Sequence, residues 1–148
     1  MAITMEGEFR VERKPEEVYD LLTDPNRFAP LLPDFEGLEV KSPREFTVKV
    51  KVGIAHIRGT ASVRLELAEA ERPRRALYRG QGSVGGGGVN LTAGFDLKPD
   101  SGGTRVHWRG EAQIVGPIAS LAGGLLEPLA KKNVQKVIDG LRAALAGS

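Results

Sequence analysis

Between Phe46 and Ile114 the chain repeats one pattern, apolar and polar residues alternating through one strand-length segment after another. In FTVKVKV, Phe46, Val48, Val50 and Val52 fall on one side and Lys49 and Lys51 on the other. Gly59, Ala61, Val63, Leu65 and Leu67 make a second row, and Ala76, Tyr78, Gly80, Gly82 and Val84 a third. Val89, Leu91, Ala93, Phe95 and Leu97 follow. Then come Val106, Trp108, Gly110, Ala112 and Ile114, opposite Arg105, His107, Arg109 and Glu111. Successive side chains of a strand point to opposite faces, so this pattern requires strands with one covered face and one wet face. Hairpin-length gaps between the rows specify an antiparallel sheet. Ile3, Met5, Phe9 and Val11 add a first strand, and Leu38 and Val40 another, for seven in all.

Two short helical stretches follow the first strand. KPEEVYDLLTD opens with Pro15, carries acidic residues in its first turn and lines up Val18, Leu21 and Leu22. DPNRFAPLLPDF gives a second helical turn that ends at Pro33. Only the segment from Gly116 to Leu145 remains to cover the sheet. Its apolar residues Ile118, Leu121, Ala122, Leu125, Leu129, Val134, Val137, Leu141 and Leu145 recur at helical spacing. They fall on two stripes: in a straight helix Lys132 and Lys136 lie under Leu125 and Leu129. The ring of Pro128 clashes with the carbonyl of Gly124, so a kink or break is expected between Gly123 and Pro128. No repeat or linker interrupts the pattern, and residues 1–148 read as a single domain. A chain of this length buries roughly 68–70% of its unfolded surface, enough for a core that includes a cavity.

Six of the eleven residues in GQGSVGGGGVN, Gly80 to Asn90, are glycine. A phosphate-binding loop needs a strand-to-helix transition and a following Gly-Lys-Ser/Thr, and neither is present. The run instead spans the end of one strand, a hairpin turn at Gly85–Gly88 and the start of the next. Gly80 and Gly82 share the inward side with Tyr78. Gly59, Ala61, Ala93, Gly110 and Ala112 are inward and small as well. Two arrangements satisfy so little bulk: the helix comes very close to the sheet, or a space is left inside. In the second case apolar side chains bound a pocket for an apolar ligand, with the Tyr78 hydroxyl, the Trp108 indole N–H and Asn133 as its few polar handles.

The chemistry-bearing residues are sparse. There is no cysteine, hence no disulfide and no cysteine–zinc site. No GxSxG, HExxH or metal-ligand cluster occurs, and strand parity turns nearly all charges outward. His107 lies on the wet face and His56 at a turn, neither with a carboxylate partner at local spacing. No catalytic residue and no cofactor are expected. The net charge is +2, with basic clusters at Arg72–Arg79 and Lys131–Lys136. Such clusters suit an anionic surface or a solvated face, and interleaved acidic residues favour the solvated face; nucleic acid is not an expected partner. MAITMEGEF lacks the basic start and apolar run of a secretory signal, and no segment has the roughly 20 apolar residues of a membrane span. A cytoplasmic protein, at most touching a membrane peripherally, is the expectation. Asn and Gln occur three times each among many Arg, Glu and Lys, a thermophile-like balance.

PEEVYDLLTDPNRFAPLLPDFEGLEV, FTVKVKVGIAHIRGTASVRLEL, GQGSVGGGG, GGTRVHW and LAGGLLEPLAKKNVQ together resemble the CoxG family of carbon monoxide dehydrogenase subunits. That family lies within the START/Bet v 1-like SRPBCC superfamily. The resemblance implies a helix-grip fold of the α+β class, a seven-stranded antiparallel sheet wrapped around a long C-terminal helix. It also implies a cavity that carries a lipid- or quinone-like molecule. An accessory role on a molybdenum-type carbon monoxide dehydrogenase is a second implication, and a cyclase- or hydrolase-like enzyme a third. The expected lining is Val48, Val63, Tyr78, Leu91, Phe95 and Trp108 from the sheet and Leu121, Leu125 and Leu129 from the helix. Gly80, Gly82 and Gly110 are expected to make the room.

Overall fold

The structure, a computed structural model, describes residues 1–54, 57–84, 86–121 and 123–146; the side chains of Ile54, Ile57, Val84 and Leu121 lie outside the described residues. The strands are β1 (Ala2–Val11), β2 (Phe35–Ser42), β3 (Glu45–Ile54), β4 (Ile57–Glu71), β5 (Arg75–Val84), β6 (Gly87–Asp100) and β7 (Gly103–Val115). The helices are α1 (Pro15–Leu22), α2 (Pro25–Phe28), α3 (Pro117–Leu121) and α4 (Gly123–Ala146), with a 3₁₀ turn at Ala29–Leu31. All seven strands form one antiparallel sheet in the order β1-β7-β6-β5-β4-β3-β2. Consecutive strands pair as hairpins except that β1 closes onto β7. The alternation read from the sequence gives the concave face, with Phe46, Val48, Ala76, Tyr78, Leu97 and Val106 buried.

Local chemistry sets the two short helices of the connection from β1 to β2. Pro15 occupies the first turn of α1, and the Glu17 carboxylate accepts a 3.3 Å bond from the Lys14 N–H. Asp24 caps α2 by accepting from the Asn26 N–H at 3.0 Å. Val18, Leu21 and Leu22 of α1 then seal one end of the concave face, packed with Phe9, Leu97 and Val106.

The long helix departs from expectation in two ways. First, α4 runs as one helix from Gly123 to Ala146 with Pro128 inside it, so of the kink or break expected between Gly123 and Pro128 the break is not found; Ala122 is outside the described residues. Pro128 removes the usual donor of the Gly124 carbonyl, and Gly124 lies at the exposed side of the helix rather than in the core. Second, Leu126, 8% exposed, faces the sheet, while Leu125 is 53% exposed. With Leu126 in phase, Leu129, Ala130, Asn133, Val134, Val137, Leu141 and Leu145 form one stripe at three- and four-residue spacing. Lys132 and Lys136 lie outside it, and the two-stripe reading disappears. Leu141 and Leu145 join the main core, whereas Leu126 joins a small separate cluster with Ile3 and Ile118. The Arg13 Nε–H donates to the Leu145 carbonyl at 2.9 Å, and the Arg142 guanidinium lies 5.7 Å from the Phe9 ring centre.

The glycine run is tighter than expected. β5 and β6 pair as far as Val84–Gly87, Gly86 has φ +79°, and Gly87 and Gly88 already belong to β6. Gly85 lies outside the described residues. A Cβ on Gly87 would run into the Val115 carbonyl, so glycine is needed there for a close backbone approach.

Candidate functional site

Between the concave face and α4 lies a hollow of two adjoining lobes. The first, about 380 Å³, has Gly110, Ala112 and Ala93 for a floor. Ile3, Met5, Val52 and Ile114 flank it, and Ile118, Leu126 and Leu129 roof it. The second, about 420 Å³, is walled by Val48, Val63, Leu65, Tyr78 and Phe95 of the sheet. Phe28, Leu32 and Pro33 of the β1–β2 connection and Val134 and Val137 of α4 border it. Leu91, Ala93, Ala130 and Asn133 belong to both lobes. Strand register explains the floor: Ala93 pairs with Gly110 and Leu91 with Ala112, which sets three small residues side by side. A Cβ on Gly110 would find its nearest neighbour, the Thr92 carbonyl oxygen, at 3.9 Å, so the space above it is open.

The other two glycines expected to make room do not. A Cβ on Gly80 would lie 2.8 Å from Leu65 Cδ2 and 3.0 Å from Leu91 Cγ, because those leucines lean over it. At Gly82 a Cβ would strike the Ser62 carbonyl oxygen and Val63. Both are sites of close packing. Trp108 does not line the hollow either: it pairs across the sheet with Gly7, and its indole packs where a Gly7 Cβ would be. The expectation for Leu125 fails because helix phase turns it to solvent. The side chain of Leu121 lies outside the described residues. Val48, Val63, Tyr78, Leu91, Phe95, Gly110 and Leu129 do line the two lobes.

The polar handles change as well. The Tyr78 hydroxyl donates to the Leu22 carbonyl at 2.9 Å, and its ring meets Phe46 edge-on at 5.9 Å. Burial raises the Tyr78 pKa far beyond the usual phenol range, so it stays a neutral strut between sheet and α1. The Trp108 Nε1 is buried without a partner among the described residues but stands outside the lobes. That leaves Asn133. Glu111 and Thr92 also border the first lobe, yet strand alternation turns their side chains to the convex face. Glu111 meets Arg109 there at 3.2 Å.

The convex face carries the ionisable residues. His107 has Glu6 at 3.5 Å and Asp96 at 3.9 Å, partners invisible in local spacing because they come from β1 and β6. His56 lies outside the described residues. The basic stretch after β4 is partly neutralised: Arg72 binds Asp20 through two bonds of 2.9 and 3.0 Å, and Arg75 meets Glu69 at 3.3 Å. Arg72 holds the Asp20 carboxyl below its usual range. Among the described residues no group of three or more His, Cys, Asp or Glu could hold a metal, and no helix is long and apolar enough to cross a membrane.

Comparison with known proteins adds the following. The model of the CoxG family of carbon monoxide dehydrogenase subunits matches residues 7–146. No curated protein matches the chain. Among solved structures, a conserved protein from Geobacillus kaustophilus superposes with a TM-score of 0.85 at 21% identity, covering 97% of this chain and 95% of that one. A START superfamily protein from Mycobacterium smegmatis gives 0.72 at 11% identity, covering 96% of each chain. The Zhui aromatase/cyclase from Streptomyces sp. R1128 gives 0.72 at 16%, covering 98% and 94%.

Proposed function

The chain belongs to the CoxG family and has the helix-grip fold of START-type proteins, and from that premise we propose that it binds and carries a hydrophobic, lipid- or quinone-like small molecule in the hollow under α4, without chemical turnover. The observation that carries this reading is the floor: Gly110, Ala93 and Ala112 lie side by side under a helix that does not descend onto them. Burial of apolar ligand surface drives such binding, at about 25 cal/mol per Å² before the costs of association. Among the described residues, side chains that enter the lobes are apolar except for Asn133 and the bonded Tyr78 hydroxyl. Proton transfer needs a titratable group at the ligand, so this lining supports carriage over a cyclase- or hydrolase-like reaction.

Titration with the fluorescent apolar probe 1-N-phenylnaphthylamine tests the reading. The unaltered protein should enhance the probe's emission. Gly110→Leu sends a side chain into open space and should weaken binding roughly tenfold or more, the equivalent of about two methylene groups kept from burial. Leu125→Ala, on the solvent side of α4, should bind as before. Equal binding by Gly110→Leu would overturn the assignment.

A carbon monoxide dehydrogenase as the protein's partner is the second reading, favoured by the family's description. Co-purification of that enzyme with the protein from its native cells tests it. Within the Arg72–Arg79 stretch, Arg72 and Arg75 are paired inside the chain, to Asp20 and Glu69.

A further inference from the structure

Asn133 occupies a singular place. It stands on the inward stripe of α4, seven residues after Leu126, four after Leu129 and four before Val137, and all of these roof the hollow. It borders both lobes, so it sits where they meet rather than at the end of either. Among the described residues its amide has no hydrogen-bond partner; the helix's nearby amide–carboxylate bond joins Gln135 to Asp139 on the outer side. Across from it the sheet offers Leu91 and Ala93, both apolar.

An amide facing an apolar hollow is left unpaired by any ligand that cannot bond to it, and that costs affinity. A charged ligand fares worse. Among the described residues no charged side chain enters either lobe, and an isolated carboxylate or ammonium in such surroundings is expensive. The two lobes are similar in volume, about 380 and 420 Å³, so apolar parts of similar size fit on the two sides of the amide.

We infer that Asn133 sets the ligand class: a neutral molecule with one carbonyl or hydroxyl group inside its apolar skeleton, hydrogen-bonded to the Asn133 amide, with hydrocarbon extending into both lobes. This rests on the carrier reading above and adds to it where the ligand's polar group lies and that it is uncharged. The amide N–H₂ donates to a ligand carbonyl, and the amide oxygen accepts from a ligand hydroxyl. A charged head placed beside the amide is disfavoured for the same reason.

Three competitors of equal chain length separate the possibilities: 9-heptadecanone, heptadecane and heptadecanoate, each displacing 1-N-phenylnaphthylamine from the full chain. The ketone should compete on the order of tenfold better than the alkane, and the carboxylate should be weakest at neutral pH. Asn133→Leu replaces the amide with an apolar group of similar size in a good helix former. It should erase the preference for ketone over alkane and leave alkane binding intact or improved. Asn133→Gln, which keeps the amide, should retain part of the preference. Equal displacement by ketone and alkane in the unaltered protein, or a preference that survives in Asn133→Leu, overturns the role of Asn133 while the carrier reading stands. If the probe itself does not bind, the carrier reading falls and this inference with it.

Discussion

Leu129 and Leu141 lie on the same face of the same helix, about three turns apart, yet their surroundings differ. Leu141, 2% exposed, is packed among Phe9, Val11, Val18 and Leu22, where α1 and the last turns of α4 close the sheet. Leu129 looks across a space to Gly110 and Ala112. The sheet shows the same contrast. Gly80 and Gly82 are small because neighbours fill the room above them, whereas Gly110 is small and nothing fills its room. Glycine on a concave sheet face thus has two opposite meanings, and only the neighbouring side chains tell them apart.

Matched truncations on α4 test this contrast most strongly. Leu141→Ala should cost about 2–5 kcal/mol, a full transfer-plus-cavity penalty. Leu129→Ala should fall at or below the lower edge of that range, because it enlarges a space that already exists. Urea unfolding of both variants measures the difference, and equal losses would mean the two ends are packed alike. Next come the glycines. Gly82→Ala should destabilise by about 1–3 kcal/mol through its clash with the Ser62 carbonyl. Gly110→Ala should be neutral or stabilising by up to about 1 kcal/mol, since glycine within a strand carries an entropic penalty. Two losses of similar size would place a wall over Gly110.

The smallest effect lies outside the contrast and marks its baseline. Asp20 is held below the usual carboxylate range, chiefly by its hydrogen bonds from Arg72. A group whose folded pKa is depressed contributes stability above its unfolded pKa and loses that contribution as pH falls through the folded one. Asp20→Asn should therefore lower the melting temperature slightly at pH 7, and the difference should shrink toward zero as melts are taken at pH values progressively below the usual carboxylate range.

The seven strands and their faces were legible because alternation reports directly which side is covered. Helix α4 was legible in extent but not in phase. Adjacent leucines at 125 and 126 offered two phases, and only Leu126 puts every other buried residue on one stripe and keeps Lys132 and Lys136 off it. Parity placed Gly80, Gly82, Trp108 and Gly110 inward. Their roles depended on cross-strand register and on how Leu65, Leu91, Val63 and Gly7 meet them, which no single strand encodes. The Tyr78 hydroxyl was likewise spoken for by a carbonyl 56 residues away. Asn133 alone of the expected handles still faces the hollow.

The long helix is fastened unequally. Its last turns are held by the Arg13 bond to Leu145, by Arg142 over Phe9 and by two buried leucines. Its first turns lack a backbone bond at Pro128 and rest on a cluster of three buried residues. The end over the first lobe is therefore the weaker attachment of the two. In the carriage proposed above, that weaker attachment is the one an entering guest would press against.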